Sequence, residues 1–356
     1  MNTWGSKIKV SIFGESHGDG IGAVIDGIPA GLIIDTEFIK SEMQRRAPGQ
    51  NKLSTPRKEA DEVEILSGVF DGKTTGTPIC GVIRNTNTRS KDYNKSLLRP
   101  GHADFTGFMR YGESHDFRGG GHFSGRITAG LVFAGAIAKQ VLKEQGITIG
   151  SHIKSIHNTA EQSFLDIDCL SAELLNKLTA KAFPVMDDKI GNTMQEEIQA
   201  AAANKNSVGG IIECAVIGVK AGWGAPFFAS AESLISSIIF SIPAVKGIEF
   251  GRGFDMAAMY GSEANDSFLT DGQSIFTETN NNGGINGGIT NGMPVVFSVA
   301  VKPTPSIAKL LNTVDIDKMK NTTIEINGRH DPCIVQRAAV VVECAAALAI
   351  LESELI

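Results

Sequence analysis

Two long segments, "GRITAGLVFAGAIAKQVLKEQG" at 125–146 and "QRAAVVVECAAALAILES" at 336–353, constrain the fold more than any other part of the sequence. Both are rich in alanine and apolar nearly all round, and an arginine stands near the start of each. A helix without a polar face must be buried on every side. The two segments therefore favour a sandwich that encloses two helices between β layers over an open doubly wound sheet. Their similarity also hints at an internal duplication.

Apolar periodicity predicts the sheets and the remaining helices. Strands are predicted over 7–13, 210–220 and 294–302, and helices over 35–46, 171–182, 192–204 and 231–240. No linker rich in serine, proline or charge divides the 356 residues. We therefore expect one α/β (α+β) domain that spans 1–356.

The net charge of the chain is −6, which argues against a whole surface built for nucleic acid or an anionic membrane. The longest apolar stretch, 338–351, contains Glu343 and is too short to cross a bilayer, and "MNTWGSKIKV" lacks the apolar region of a signal peptide. We expect a cytoplasmic protein with no membrane or nucleic-acid partner. Five cysteines, an odd number without a C-x-x-C motif, argue against a disulfide framework and a zinc site.

The segment 45–58, "RRAPGQNKLSTPRK", is purely basic, although the chain as a whole is acidic. Its basic residues are Arg45, Arg46, Lys52, Arg57 and Lys58. One interpretation is that the two arginines complement the C-terminal end of the predicted helix and that the rest is a solvated loop. The other is an anion cradle, because arginine binds phosphate or carboxylate through two parallel hydrogen bonds.

Glycine makes up 40 of the 356 residues, and it is clustered. The segment 99–126, "RPGHADFTGFMRYGESHDFRGGGHFSGR", holds three of the seven histidines, at separations that match no metal site, so no metal is predicted. "GGGHFSGR" is typical of a turn that presents backbone N–H groups to a phosphate at a helix N-terminus. A tight turn capped by Ser124 explains it equally well. "GDGIG" at 18–22 is followed by Pro29 rather than by a helix, which excludes a dinucleotide fingerprint.

Three further segments could line a site. In "GESHG", His17 lies between a serine and glycines, which leave its ring open to close approach. "TNNNGGINGGITNGM" at 279–293 is either a low-complexity loop or a loop whose backbone approaches a flat ligand. "NGRHDPC" at 327–333 places Arg329, His330 and Asp331 before the second buried helix, where Asp331 could also be only an N-cap.

Several motifs in order resemble the chorismate synthase family: "GESHG", "RRAPG", "SGVFDGKTTGTPI", "RPGHAD", "RYGESHDFRGGG", "IPAVKGIEFG", "GGINGGI", "KPTPS" and "GRHDPC". The resemblance implies a βαβ sandwich with buried helices between antiparallel sheets, a homotetramer, and reduced FMN as cofactor. It also implies conversion of 5-enolpyruvylshikimate 3-phosphate to chorismate by 1,4-anti elimination of phosphate and a C6 hydrogen, without net redox change.

The resemblance also implies roles for individual residues. His17 would protonate the leaving phosphate, His102 would stabilise the anionic reduced flavin, and Asp331 would act with flavin N5 in taking the C6 proton. Substrate or NADPH, a possible reductant, would contact Arg45, Arg46, Lys52, Arg126 and Arg337. The flavin would contact His122, Phe123, Ser124, Pro243, Ala244, Gly287, Lys302, Pro303, Thr304, Pro305, Ser306 and Arg329.

The chain departs from the family pattern at a few of these positions. Many relatives have "RSSARET" where this chain has "HFSGRIT", an asparagine in place of Pro243, and an arginine in place of Lys52. Two other functions stay open at this point. A phosphate- or nucleic-acid-binding protein would use 45–58 without catalysis, and a flavin-dependent oxidoreductase would consume reductant stoichiometrically.

Overall fold

The computed structural model describes residues 2–49, 61–86, 93–326 and 331–356. Its strands are β1 Thr3–Trp4, β2 Lys9–Gly14, β3 Gly20–Asp26, β4 Glu64–Ser67, β5 Val69–Phe70, β6 Lys73–Thr74, β7 Ile79–Arg84, β8 Thr148–Ile156, β9 Thr159–Ala160, β10 Gly210–Ile217, β11 Val245–Phe250, β12 Phe268–Thr270, β13 Ile275–Thr277, β14 Ile285–Asn286, β15 Ile289–Thr290, β16 Val295–Val301, β17 Leu310–Asp315 and β18 Lys320–Glu325. Its helices are α1 Thr36–Arg46, α2 Asp104–Tyr111, α3 Thr128–Glu144, α4 Ala172–Thr179, α5 Asp188–Ala203, α6 Ala231–Ile239, α7 Gly261–Ala264 and α8 Val335–Leu355.

Two five-stranded antiparallel sheets form the outer layers of the fold. The first has the order β1-β2-β3-β7-β4, and the second has the order β11-β16-β10-β8-β9. The four other strand pairs are separate short hairpins. Every pairing is antiparallel, as the predicted sandwich requires.

The two helices α3 and α8 lie between the sheets, which confirms the prediction made from their composition. Every residue of α3 from Thr128 to Leu142 is buried, and so is almost all of α8. They approach closely where Gly135 meets Cys344, since a Cβ on that glycine would lie 2.3 Å from the cysteine Cβ. On the other side of α3, the ring of Phe133 occupies the space over Gly81 of β7. No helix among the described residues is both long enough and apolar enough to span a bilayer.

The predicted elements are confirmed in kind, with differences at their ends. β2, β10 and β16 overlap the three predicted strands, with ends that differ by up to three residues, and α1 begins where the Asp35 side chain accepts the Phe38 N–H at 2.9 Å. The predicted start of α5 at 192 is wrong by one turn, because Asp187 caps the helix and accepts the Lys189 N–H at 2.7 Å. α4 is shorter than predicted, since Ser171 is its cap and it ends at Thr179.

A buried histidine fastens the chain between β9 and α5 to the second sheet. Nδ1 of His152 bonds to Glu161, and its Nε2 lies 2.9 Å from Glu213. The carboxylate of Glu213 also accepts the N–H of Phe164 at 2.5 Å and the hydroxyl of Ser163 at 2.6 Å. Burial alone would lower the pKa of His152, but the two carboxylates outweigh it and raise the pKa. Both ring nitrogens of His152 therefore face carboxylates, which favour the protonated form of the ring.

Candidate active site

A glycine turn before α3 positions two histidines from distant parts of the chain. Gly119, Gly120 and Gly121 have φ values of +61°, +88° and +53°, which side chains rarely adopt. A Cβ on Gly119 would lie 2.5 Å from Nε2 of His17, and a Cβ on Gly120 would lie 3.1 Å from Nε2 of His102. The two histidines predicted to be catalytic therefore contact neighbouring glycines of one turn.

The loop that carries His17 is held on both sides. The side-chain amide of Asn85 donates to the carbonyls of Glu15 and Gly18, at 3.0 and 2.9 Å. The His17 ring meets the Tyr93 ring edge-on, with 5.4 Å between their centroids. The guanidinium of Arg99 lies 5.2 Å from the centroid of the same tyrosine. Sequence reasoning missed Asn85, Tyr93 and Arg99, although Arg99 opens the "RPGHAD" motif.

His102 belongs to a tight group with an aspartate and an arginine. Its Nδ1 lies 2.8 Å from Oδ1 of Asp104 and 3.2 Å from Nη2 of Arg99. Arg99 also donates to both oxygens of Asp104, from Nε at 2.8 Å and from Nη2 at 2.6 Å. Burial works against the charged carboxylate, but these hydrogen bonds outweigh it and hold the pKa of Asp104 well below its usual range.

Three arginines meet two aspartates where α1, α3 and α8 begin or end. Asp61, whose side chain is fully buried, accepts hydrogen bonds from both Arg46 and Arg126. Arg337 donates to the carbonyl of Arg46 at 2.9 Å and to Asp331 at 2.6 Å. We call these five residues the arginine cluster. It contains three of the predicted anion contacts and the predicted catalytic aspartate, together with Asp61, which sequence reasoning missed.

The arginine cluster brings three positive charges close together and balances them with only two carboxylates. Burial, reinforced by Arg337 and Arg126, lowers the pKa of Arg46 to about 10, although Asp61 partly offsets it. Burial opposes the charged form of Asp61, but Arg46 and Arg126 outweigh it and lower the pKa of the carboxyl. A bound anion would therefore stabilise this cluster.

Arg45 lies elsewhere, although it is adjacent to Arg46 in sequence. Its guanidinium bonds to Glu343 of α8 at 2.7 and 2.8 Å and to Glu42 at 2.9 Å. Lys139 of α3 bonds to the same two carboxylates at 2.7 and 2.5 Å, and the Ser151 hydroxyl donates to Glu343. Against the effect of burial, the two carboxylates raise the pKa of Arg45, while the two cations lower that of Glu343 to about 2. Arg45 is thus part of a charge-balanced core network, and its contact with substrate stays a prediction.

The segment 302–306, predicted to bind flavin, adjoins the His102 loop. The amine of Lys302 donates to the carbonyl of Gly101 at 2.6 Å, and Pro305 packs 3.2 Å from a Cβ built on that glycine. The N–H of Lys302 donates to Ala244, which has a left-handed φ of +76°. The hydroxyl oxygen of Thr304 is buried and has no hydrogen-bond partner among the described residues. These residues offer a ligand an unsatisfied hydroxyl and a nearby cation.

The other predicted flavin contacts lie in several different parts of the structure. Nδ1 of His122 donates to the carbonyl of Gly14 at 2.8 Å, and Ser124 accepts the N–H of Arg126, which confirms its capping interpretation. The segment 279–293 is an ordered hairpin of β14 and β15, whose turn contains Gly287. This hairpin adjoins the start of β16, whereas Lys302 follows its end, about 20 Å away at ~3.3 Å per residue. Lys52 and Arg329 lie outside the described residues.

Further hydrogen bonds connect the histidines, the flavin segment and the arginine cluster. The hydroxyl of Ser207 donates to the carbonyl of Thr304 at 2.7 Å, and the N–H of Val208 donates to the carbonyl of Pro332, next to Asp331. On the far side, Nε of Arg126 donates to Asn85 at 3.2 Å, and Asn85 holds the His17 loop. Apart from Arg45, the described catalytic and anion-binding candidates therefore lie in one region of the molecule.

Comparisons with known proteins show the family to which this chain is similar. A sequence model of the chorismate synthase family matches residues 8–355. Chorismate synthases of Methanobrevibacter smithii and Lachnoclostridium phytofermentans are 45% and 47% identical to this chain over 99% of its length, covering 95% and 94% of their own. A crystal structure of chorismate synthase superposes with a TM-score of 0.78 at 30% identity and covers 98% of this chain and 92% of its own. The match in sequence and in fold runs the length of the chain, and the chain belongs to the chorismate synthase family.

Proposed function

We propose that this protein converts 5-enolpyruvylshikimate 3-phosphate to chorismate by 1,4-anti elimination of phosphate, with reduced FMN bound and no net redox change. The observation that carries the proposal is the placement of His17 and His102 against one glycine turn, beside the buried arginine cluster. In the reaction the C–O bond to phosphate breaks, the C6 proton leaves, and a new carbon–carbon double bond forms. The product and inorganic phosphate account for all atoms of the substrate.

The arginine cluster would bind the anionic groups of the substrate. The substrate carries one phosphate and two carboxylates, and guanidinium groups bind such groups through charge-assisted paired hydrogen bonds. Arg46, Arg126 and Arg337 are held in fixed positions by Asp61 and Asp331, so little ordering of these side chains is needed on binding. Arg46→Ala should raise KM by roughly ten- to thousandfold while the protein remains folded.

Two side chains would carry out the proton transfers of the reaction. His17 would donate a proton to the departing phosphate oxygen, which general acid catalysis by histidine makes about 10²- to 10⁴-fold faster. Asp331, oriented by Arg337 at 2.6 Å, would assist removal of the C6 proton at the edge of the same cluster. With the substrate bound between them, the two groups would act on opposite ends of the allylic system.

The described residues fit a flavin. The buried hydroxyl of Thr304, the amine of Lys302 and the unusual backbone at Ala244 lie together next to His102. These residues would hold the cofactor, with Nε2 of His102 directed to the ring system. The chemistry that reduced FMN would supply there is transient electron donation to the substrate, with no net redox change. NADPH would serve only to keep the flavin reduced.

We further propose that the protein is a cytoplasmic homotetramer. Several large apolar side chains are strongly exposed in the single chain, among them Phe227 at 83% and Phe228 at 97%. Exposed aromatic residues of this kind are typical of protein interfaces. The hairpin that carries Gly287 adjoins the start of β16, whereas Lys302 follows its end, so we expect a second copy to supply the flavin contact at Gly287. Sedimentation of the purified protein tests the stoichiometry.

The test of function is anaerobic incubation with 5-enolpyruvylshikimate 3-phosphate and chemically reduced FMN. We expect chorismate and phosphate in equal amounts over many turnovers, with the flavin still reduced at the end. Oxidised FMN under the same conditions is the control and should give no product. Stoichiometric consumption of reductant would identify a flavin oxidoreductase instead, and binding of phosphate without product would identify a non-catalytic protein.

A further inference from the structure

Asp104 is the first residue of α2, a position where an acidic side chain commonly interacts with the helix N-terminus. Its carboxylate points back toward the preceding loop instead. Oδ2 accepts the backbone N–H of Arg99 at 2.9 Å and its Nε at 2.8 Å. Oδ1 accepts Nη2 of Arg99 at 2.6 Å and faces Nδ1 of His102 at 2.8 Å. The residue is only 9% exposed, so water contributes little to this arrangement.

The contacts of Nδ1 determine which nitrogen of His102 carries the proton. Nδ1 has two polar neighbours, the carboxylate oxygen of Asp104 at 2.8 Å and Nη2 of Arg99 at 3.2 Å. A carboxylate only accepts and a guanidinium only donates, so one ring nitrogen cannot bond to both. A lone pair on Nδ1 would face the lone pairs of a charged oxygen at 2.8 Å. That repulsion, from the nearer and negatively charged neighbour, outweighs the longer contact with Nη2, so the neutral ring carries its hydrogen on Nδ1.

We infer that Asp104 is a positioning residue that holds His102 in the Nδ1–H tautomer. Nε2 is then the nitrogen that gains and loses a proton. This nitrogen faces the glycine turn, where a Cβ on Gly120 would lie 3.1 Å away. The role of Nε2 toward a flavin rests on the proposed function, but the tautomer itself is a property of this chain alone.

The experiment is ¹⁵N spectroscopy of the full-length protein labelled in its histidines, with the His102 signals assigned by their loss in His102→Gln. The spectra are compared at a pH where the ring is neutral, and in the wild type we expect that neutral ring to have a protonated Nδ1 and an unprotonated Nε2. In Asp104→Asn the side-chain amide can donate to Nδ1, so a substantial share of the ring should change to the Nε2–H tautomer. Asp104→Glu, which keeps the carboxylate, should restore the wild-type pattern.

The matched control is Asp116→Asn. Asp116 forms a similar two-point ion pair, with Arg118 at 2.8 and 2.9 Å, but has no hydrogen bond to His102. Its substitution should leave the His102 tautomer unchanged. In turnover assays Asp104→Asn should lower kcat at least about tenfold, as expected when a histidine is held in the wrong tautomer, with a smaller change in KM.

A wild-type spectrum that shows the Nε2–H tautomer would overturn the inference, and this result does not depend on any variant folding. An Asp104→Asn protein that is less stable but keeps the wild-type tautomer would also overturn it, because Asp104 would then be merely structural. If the wild type forms no chorismate, the proposed function fails while the spectra still decide the tautomer.

Discussion

Asp61→Asn is the substitution whose cost the structure defines best. The Asp61 side chain is fully buried and accepts hydrogen bonds from Arg46 and Arg126. Removing one member of a buried ion pair costs about 3–5 kcal/mol, because the remaining charge is left uncompensated. A protein of this kind is stable by roughly 5–15 kcal/mol, so the variant should lose a large share of its free energy of unfolding.

The assay is urea unfolding of the wild type and two variants near neutral pH. The control is Asp166→Asn, which breaks an ion pair between partly exposed side chains, with Arg252 33% and Asp166 40% exposed. Such surface pairs contribute at most about 1 kcal/mol. If Asp61→Asn lost no more stability than Asp166→Asn, the arginines would not depend on Asp61 for compensation.

Inorganic phosphate and pH give two further readouts of the same substitution. Without the carboxylate, the positive charges of Arg46 and Arg126 are uncompensated, so phosphate should bind Asp61→Asn more tightly than the wild type. At 100 times its Kd for the variant, phosphate should stabilise the variant by about 2.7 kcal/mol and the wild type by less. Because the folded pKa of Asp61 is lowered, its stabilisation is complete above the unfolded value of about 3.9 and is lost as the pH falls through the folded pKa. The variant should lack that part of the acid transition.

The remaining predictions concern the histidines and the packing of the two buried helices. His17→Ala should lower kcat by about 10²- to 10⁴-fold with little change in Tm, and a folded variant with normal turnover would refute the general acid role. Because the pKa of His152 is raised, this residue stabilises the folded state fully below about pH 6.5, and that contribution is lost as the pH rises through the folded pKa. The urea midpoints of wild type and His152→Gln should therefore converge at alkaline pH. Gly135→Ala places a methyl group 2.3 Å from Cys344 Cβ and should cost about 1–3 kcal/mol in the free energy of unfolding. Gly261→Ala is the control, because a Cβ there meets nothing within 4 Å and the backbone is not left-handed.

The sandwich could be predicted because the apolar composition of two helices shows directly that they are buried. α3 and α8 have no polar face, and only a structure that covers them on all sides avoids exposing apolar surface. The start of α5 was predicted one turn late, because apolar periodicity begins after the cap at Asp187. The hairpin within 279–293 was not predicted, since its order comes from Asp266, which accepts backbone N–H groups of Asn281 and Asn282.

The sequence could predict which residues are chemically suited to the candidate site. It could not predict which of them contact one another. His17 and His102 belong to separate sequence motifs. Only the folded structure shows that they contact neighbouring glycines of the same turn. Asp61 follows a purely basic segment and Asp104 closes "RPGHAD", so an acidic residue next to a cationic motif was the available signal. Sequence position alone does not say which cation each carboxylate will bind.

Arg45 and Arg46 show why two adjacent cations can serve different purposes. α1 directs Arg45 to two buried glutamates, which raise its pKa against the effect of burial. Arg46 shares one carboxylate with Arg126, and its pKa is lowered to about 10. An arriving phosphate or carboxylate would relieve the charge around Arg46 but would compete with Glu343 for Arg45. The direction of the pKa shift therefore separates the arginine that the core has already neutralised from the arginine that an anionic substrate would stabilise.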